Sequence, residues 1–151
     1  MPLRELTERG PLRILHVEDD VVNAELFSAI LEPEGHTIVL ETTGPAGRAR
    51  AMAELFDLIA LDIQLPGLSG DSLCAELKKA GLQTPILAIT ASAMPEEMDR
   101  VRAAGFDELL TKPVDPGELR TAVLRLGEIR SSPASPIASS ALPLGSTALT
   151  Q

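Results

Sequence analysis

The amino-acid sequence predicts an α/β fold, a five-stranded parallel sheet covered by helices on both faces. Two observations predict it. Short, nearly continuous apolar runs recur along the chain, and several stop abruptly at polar residues. Runs of that kind read as strands buried on both faces. Between them lie segments with apolar residues at helical spacing, so that strand and helix alternate five times. Strict alternation with short loops is the pattern of a parallel sheet.

The first strand is expected over Leu12 to Val17 (LRILHV), ending in Glu18-Asp19-Asp20. A helix comes next, with Val22, Leu26, Ile30 and Leu31 on its apolar face, stopped by Pro33 and Gly35. Asp20 reads as its N-cap. His36 to Leu40 (HTIVL) is the second strand and Pro45 to Leu55 the second helix. Leu58 to Leu61 (LIAL) is the third strand, ending in Asp62. Ser69 to Ala80 is the third helix, with Leu73, Cys74 and Leu77 on one side. Pro85 to Ile89 (PILAI) is the fourth strand, ending in Thr90-Ala91-Ser92. Pro95 to Ala104 is the fourth helix, where Met94 and Met98 read as packing residues. Glu108 to Thr111 (ELLT) is the fifth strand, running into Lys112-Pro113. Asp115-Pro116 opens the fifth helix as N-cap and first-turn proline, with Leu119, Ala122, Val123 and Leu126 facing inward.

Residues 1–11 form an N-terminal extension and 12–130 one globular domain. Residues 131–151 (SSPASPIASSALPLGSTALTQ) carry no charge, six serines and three prolines. That composition reads as a disordered tail or linker.

The net charge is −9, from 22 acidic and 13 basic residues. A surface of that sign repels phosphate backbones, which argues against nucleic-acid binding. Cys74 is the only cysteine, so no intrachain disulfide forms. No signal peptide and no apolar run of membrane-spanning length is visible, so a cytoplasmic protein with no membrane partner is expected. The three aromatic residues, all Phe, imply an aliphatic core.

Ligands of open parallel sheets bind beyond the carboxyl ends of the strands. Here those ends carry Glu18, Asp19, Asp62, Thr90 and Lys112. Converging carboxylates repel one another unless a hard dication joins them, and Mg²⁺ prefers such oxygen ligands. A carboxylate nucleophile, a hydroxyl, an ammonium and Mg²⁺ together suit phosphoryl transfer.

At these residues the sequence resembles a known family, the receiver domain of two-component response regulators of the chemotaxis-regulator type. The matching pieces are ILHVEDD, LIALDIQLPGLSG, ILAITAS and LLTKP, in order over roughly residues 12 to 127. The resemblance is strongest toward single-domain regulators and receivers attached to hybrid histidine kinases. It implies a flavodoxin-like strand order of 2-1-3-4-5. It implies Asp62 as phosphoacceptor, with Glu18, Asp19, Asp62 and the backbone carbonyl of Gln64 as the Mg²⁺ site. Thr90, Ala91 and Lys112 would contact the phosphoryl group, Gln64 and Ser92 would tune its hydrolysis, and the bond before Pro113 is expected to be cis. The implied donor is a sensor histidine kinase or histidine phosphotransfer protein, docking on the first helix around Asn23 to Phe27. The implied output is contact with a downstream protein through the fourth helix, fifth strand and fifth helix, by a monomer or a phosphorylation-dependent dimer. Beyond its own phosphorylation and slow dephosphorylation no enzymatic turnover is implied.

Two positions depart from the family. Leu109 stands where an aromatic switch residue is usual, so no ring or phenol can move there. His16 stands where an aliphatic residue is usual, and reads as a buried neutral histidine satisfied by one hydrogen bond. Two other classes compete with this resemblance. A phosphate-independent interaction module keeps no need for the full set of Glu18, Asp19, Asp62, Thr90 and Lys112. An aspartyl-nucleophile phosphatase commonly needs an acid two residues after the nucleophile, and Gln64 cannot donate that proton as an acid.

Overall fold

The computed structural model describes residues 11–131. The expected N-terminal extension (1–11) and uncharged tail (131–151) lie outside the described residues except at positions 11 and 131. The described chain runs β1 (Arg13–Val17), α1 (Val21–Leu31), a short 3-10 turn, β2 (Thr37–Glu41) and α2 (Gly44–Ala53). It continues through β3 (Leu58–Asp62), α3 (Gly70–Lys79), β4 (Ile86–Thr90), α4 (Pro95–Ala104), β5 (Glu108–Thr111) and α5 (Pro116–Ser131). The five strands form one parallel sheet in the order β2-β1-β3-β4-β5.

Alternation along the strands sorts side chains into two layers. Ile14, Leu58, Ala60, Leu87, Ile89 and Leu110 face one way, where Phe27 and Leu31 of α1 and Leu119, Ala122, Val123 and Leu126 of α5 cover them. Leu15, Val17, Ile59, Leu61 and Ile86 face the other way, under Ala51 of α2 and Leu73, Cys74 and Leu77 of α3. Ala88 meets Val101 of α4, with Leu109 and Phe106 packed alongside. The core is aliphatic apart from Phe27 and Phe56, as the scarcity of aromatics requires.

The helix ends obey their capping chemistry. The Asn23 amide donates to the Asp20 carboxylate at 3.1 Å, and the Glu118 amide to Asp115 at 2.9 Å. Ser69 accepts from the Ser72 amide to start α3.

Three expectations need correction. Val22 and Leu26 do not form the buried face of α1; they are 64% and 57% exposed. The stripe that packs is Ala24, Phe27 and Leu31, because burying the Phe27 ring against the sheet outweighs burying either smaller side chain. Met94 precedes α4 as an exposed residue and does not pack. His16 is buried, and burial with Lys112 nearby pushes its pKa down to about 3, so it is neutral. However, neither ring nitrogen has a hydrogen-bond partner among the described residues. The ring instead stacks on Phe27 at 3.8 Å between centroids.

Candidate functional site

All five strands point the same way, so their carboxyl ends share one edge. The register sets Val17 beside Leu61, Asp62 beside Ile89 and Thr90 beside Thr111. That brings Glu18, Asp62, Thr90 and Lys112 to neighbouring positions although 94 residues separate the first from the last.

The loop after β3 is tightly drawn. The Ile63 amide donates to the Ile89 carbonyl at 3.0 Å, and the Gly70 amide returns to the Ile63 carbonyl at 2.9 Å. A Cβ on residue 70 would overlap the backbone carbonyl of Asp62, so only glycine permits this approach. The Gln64 amide donates to Asp62 Oδ1 at 3.3 Å, which sets residue 64 beside the carboxylate.

Lys112 bridges two of the acids. Its Nζ lies 3.1 Å from Glu18 Oε1 and 3.3 Å from Asp62 Oδ2. Burial disfavours the ammonium, but Asp62 and Glu18 outweigh it and hold the Lys112 pKa above its ordinary value. Glu18 is almost fully buried, and burial pushes its pKa up to about 7. The Asp20 amide, donating at 3.1 Å, opposes that shift; the Asp62 charge adds to it; Lys112 opposes it. One ammonium is thus shared between two buried carboxylates and does not fully satisfy either.

Asp19 is exposed, on the solvent side of the pair. Oxygens of Glu18, Asp19 and Asp62 all lie within 4.8 Å of one another. An all-oxygen donor set, with one member open to water, fits a hard cation such as Mg²⁺ that keeps part of its hydration shell. Burial, with the Asp62 charge adding to it, disfavours the ionised form of Glu18, and a cation held there would offset both.

The remaining expected residues surround this cluster. Thr90 is fully buried at the end of β4, and its hydroxyl accepts from the Ser92 amide at 3.2 Å. The Lys112 amide donates to the Thr90 carbonyl at 2.7 Å, tying β4 to the lysine. Ala91 is exposed and Ser92 half-buried in the loop beyond β4. The Lys112–Pro113 bond is cis. Leu109 is half-buried within β5, packed with Ala88 and Val101 rather than in the acidic cluster. A cavity of about 230 Å³ opens beside the cluster, lined by His16, Asn23, Phe27, Lys112 and Pro113 among others.

One residue of this corner has no signature in the sequence. Thr90 Oγ1 donates to Glu97 Oε1 at 3.3 Å, from the first turn of α4. A glutamate in a first helical turn is so common that its identity carries no signal of this contact. Among the described residues no helix is long and apolar enough to cross a membrane.

Known proteins share this fold. The family model for the response regulator receiver domain matches residues 14–124. A sensor histidine kinase, AruS, of Pseudomonas aeruginosa is 44% identical over 126 residues, covering 80% of this chain and 12% of that protein. The response regulator protein PmrA of the same species is 39% identical over 117 residues, covering 76% of this chain and 52% of its own length. The chain therefore spans only part of these relatives. Among solved structures, the receiver domain of the P. aeruginosa sensor histidine kinase PA1611, with a magnesium ion in its active-site cleft, has a TM-score of 0.74 and 30% identity. It covers 79% of this chain and 99% of that one. A CheY-like receiver domain protein from Methanospirillum hungatei has a TM-score of 0.75 and 29% identity, covering 81% and 98%. The acidic strand ends, the bridging lysine and these matches lead to one conclusion: the chain belongs to the response regulator receiver domains of two-component signalling.

Proposed function

We propose that the protein is a phosphoacceptor whose Asp62 takes a phosphoryl group from a histidine kinase or a histidine phosphotransfer protein. The observation that carries this reading is Lys112, held within 3.3 Å of both Glu18 and Asp62 at the strand ends. The Asp62 carboxylate attacks phosphorus in line. A new P–O bond forms as the donor's P–N bond breaks, and the electron pair leaves with the imidazole. Lys112 neutralises one phosphoryl oxygen, and the Thr90 hydroxyl and Ala91 amide donate to others. Glu18, Asp19, Asp62 and the carbonyl of Gln64 would hold Mg²⁺. When bound, the ion supplies charge neutralisation between the carboxylates and the phosphoryl oxygens. Water later attacks the acyl phosphate and regenerates Asp62; Gln64 and Ser92 flank its approach.

Residues 12–130 are the receiver unit, and its readout is protein contact in the cytoplasm. The donor docks on α1, where Val22 and Leu26 stand exposed beside Asn23. Output runs through α4, β5 and α5 by a shift between two conformations.

Incubation with Mg²⁺ and acetyl phosphate tests this reading. Intact mass should show one phosphoryl adduct on the wild type and none on Asp62→Asn. An unmodified wild type under trapping conditions would leave a phosphate-independent interaction module in its place.

A further inference from the structure

The corner between β4 and α4 ties the Thr90 hydroxyl to the first turn of α4. Thr90 is fully buried and has one hydroxyl proton to give. Its oxygen accepts from the Ser92 amide at 3.2 Å. Two acceptors lie within reach of the proton, the Ser92 carbonyl at 3.2 Å and Glu97 Oε1 at 3.3 Å. The ionised carboxylate is the stronger acceptor of the two.

Glu97 is itself anchored. Its Oε2 lies 3.5 Å from Arg100 Nη2, and Arg100 Nε lies 3.8 Å from Asp71 Oδ2 on α3. The Glu97 side chain is only 18% exposed, so the carboxylate is held against the loop rather than dispersed in water. One turn further along the same face of α4 is Val101, which packs against Ala88 with Leu109 alongside. A single face of α4 thus touches both the Thr90 hydroxyl and the packing around Leu109.

We propose that Glu97 is a latch on Thr90: it holds the hydroxyl toward α4 in the resting state, and phosphorylation of Asp62 releases it. The proposal rests on the reading of Asp62 as phosphoacceptor and names how that event leaves the site. The physical reason is competition for one proton. Thr90 cannot donate fully to Glu97 and to a phosphoryl oxygen at once. Turning the Asp62 carboxylate (−1) into an acyl phosphate (about −2) also adds about one negative charge at the site, which repels the Glu97 carboxylate. When Thr90 turns to the phosphoryl group, α4 loses its tie to the end of β4. The first turn of α4 is then free to shift, and Val101 carries the shift to Leu109. This gives a route from the site to the α4–β5 surface that needs no aromatic ring at position 109. Glu97 is a positioning residue; it touches no reacting atom.

The test compares the wild type with Glu97→Ala and Glu97→Gln in the same acetyl phosphate assay. Glu97→Ala should be phosphorylated about three- to tenfold faster at limiting donor, because one hydrogen bond no longer favours the resting state. Glu97→Gln keeps an acceptor without the charge and should fall between the two. In unphosphorylated Glu97→Ala, the amide resonances of α4 should lie displaced toward their phosphorylated wild-type positions. In a Thr90→Val background the Glu97→Ala acceleration should vanish, since there is no hydroxyl to release. A glutamate that merely supported the helix would lower stability in both backgrounds and leave the rate unchanged. Equal rates for the wild type and both Glu97 variants would overturn the latch, and so would an acceleration that persists with Thr90→Val. If the wild type takes up no phosphoryl group at all, the phosphoacceptor reading falls and the latch falls with it. If it does and Glu97→Ala matches it, only the latch falls.

Discussion

Helices α1 and α3 have similar lengths, and each lays three buried side chains on the sheet, yet they differ in what they leave outside. In α3 the buried set is Leu73, Cys74 and Leu77, and the outer face carries Asp71, Glu76, Lys78 and Lys79. In α1 the buried set is Ala24, Phe27 and Leu31, while Val21, Val22 and Leu26 remain more than half exposed. A helix with one apolar stripe has one way to sit on a core. A helix that is apolar most of the way round has several, and whichever stripe wins leaves the others in water. Of this surplus, Leu26 lines the cavity beside the acidic cluster; no comparable surplus exists on α3. The difference separates a helix that only covers the sheet from one with surface left for a partner.

Cysteine chemistry offers the largest contrast between them. Burial pushes the Cys74 thiol up to about 12, with Asp107 and Asp71 adding to the shift and Lys78 opposing it. Below that pH the native thiol stays protonated, and it donates to the Ala104 carbonyl at 3.4 Å. A Leu26→Cys thiol on α1 should react with a disulfide reagent about a thousandfold faster than Cys74 in the native protein. Equal rates would mean that α3 opens as readily as α1 is exposed. Truncation gives the next contrast. Leu77→Ala should lower unfolding free energy in urea by about 2–5 kcal/mol, the ordinary cost of emptying a buried leucine site. Leu26→Ala should stay within about 0.5 kcal/mol of wild type. The smallest structural change should carry the functional difference. The pair Val22→Ser and Leu26→Ser should leave stability and acetyl phosphate labelling unchanged, yet slow transfer from a phosphorylated histidine donor severalfold. If both phosphoryl sources respond alike, the exposed side chains of α1 have no part in donor docking.

The site was more legible in the sequence than its surroundings. Glu18, Asp62, Thr90 and Lys112 sit at or just past the ends of apolar runs, and a parallel sheet must gather the ends of its strands on one edge. Leu73, Cys74 and Leu77 were legible because no other large apolar residue occurs on α3. The phase of α1 was not legible, since two apolar stripes compete and only the docked Phe27 decides between them. The missing hydrogen bond of His16 depends on what faces the ring across the layer, which is α1 again, through Phe27. Glu97 was invisible for a different reason. Its contact with Thr90 depends on how residues 91–94 turn, and no periodicity records a turn.

The loop after Asp62 has a consequence for how this protein can vary. Its first and last positions are joined by the Gly70–Ile63 bond, and residue 70 lies against the Asp62 carbonyl with no room for a methyl group. Between those points the chain behaves like a drawstring of fixed length. Side chains along it can be exchanged except at Gly67, whose φ of 84° favours glycine, but one residue more or fewer would pull α3 away from Asp62 or buckle the loop into it. Drift or design in that segment can therefore change its letters, not their number.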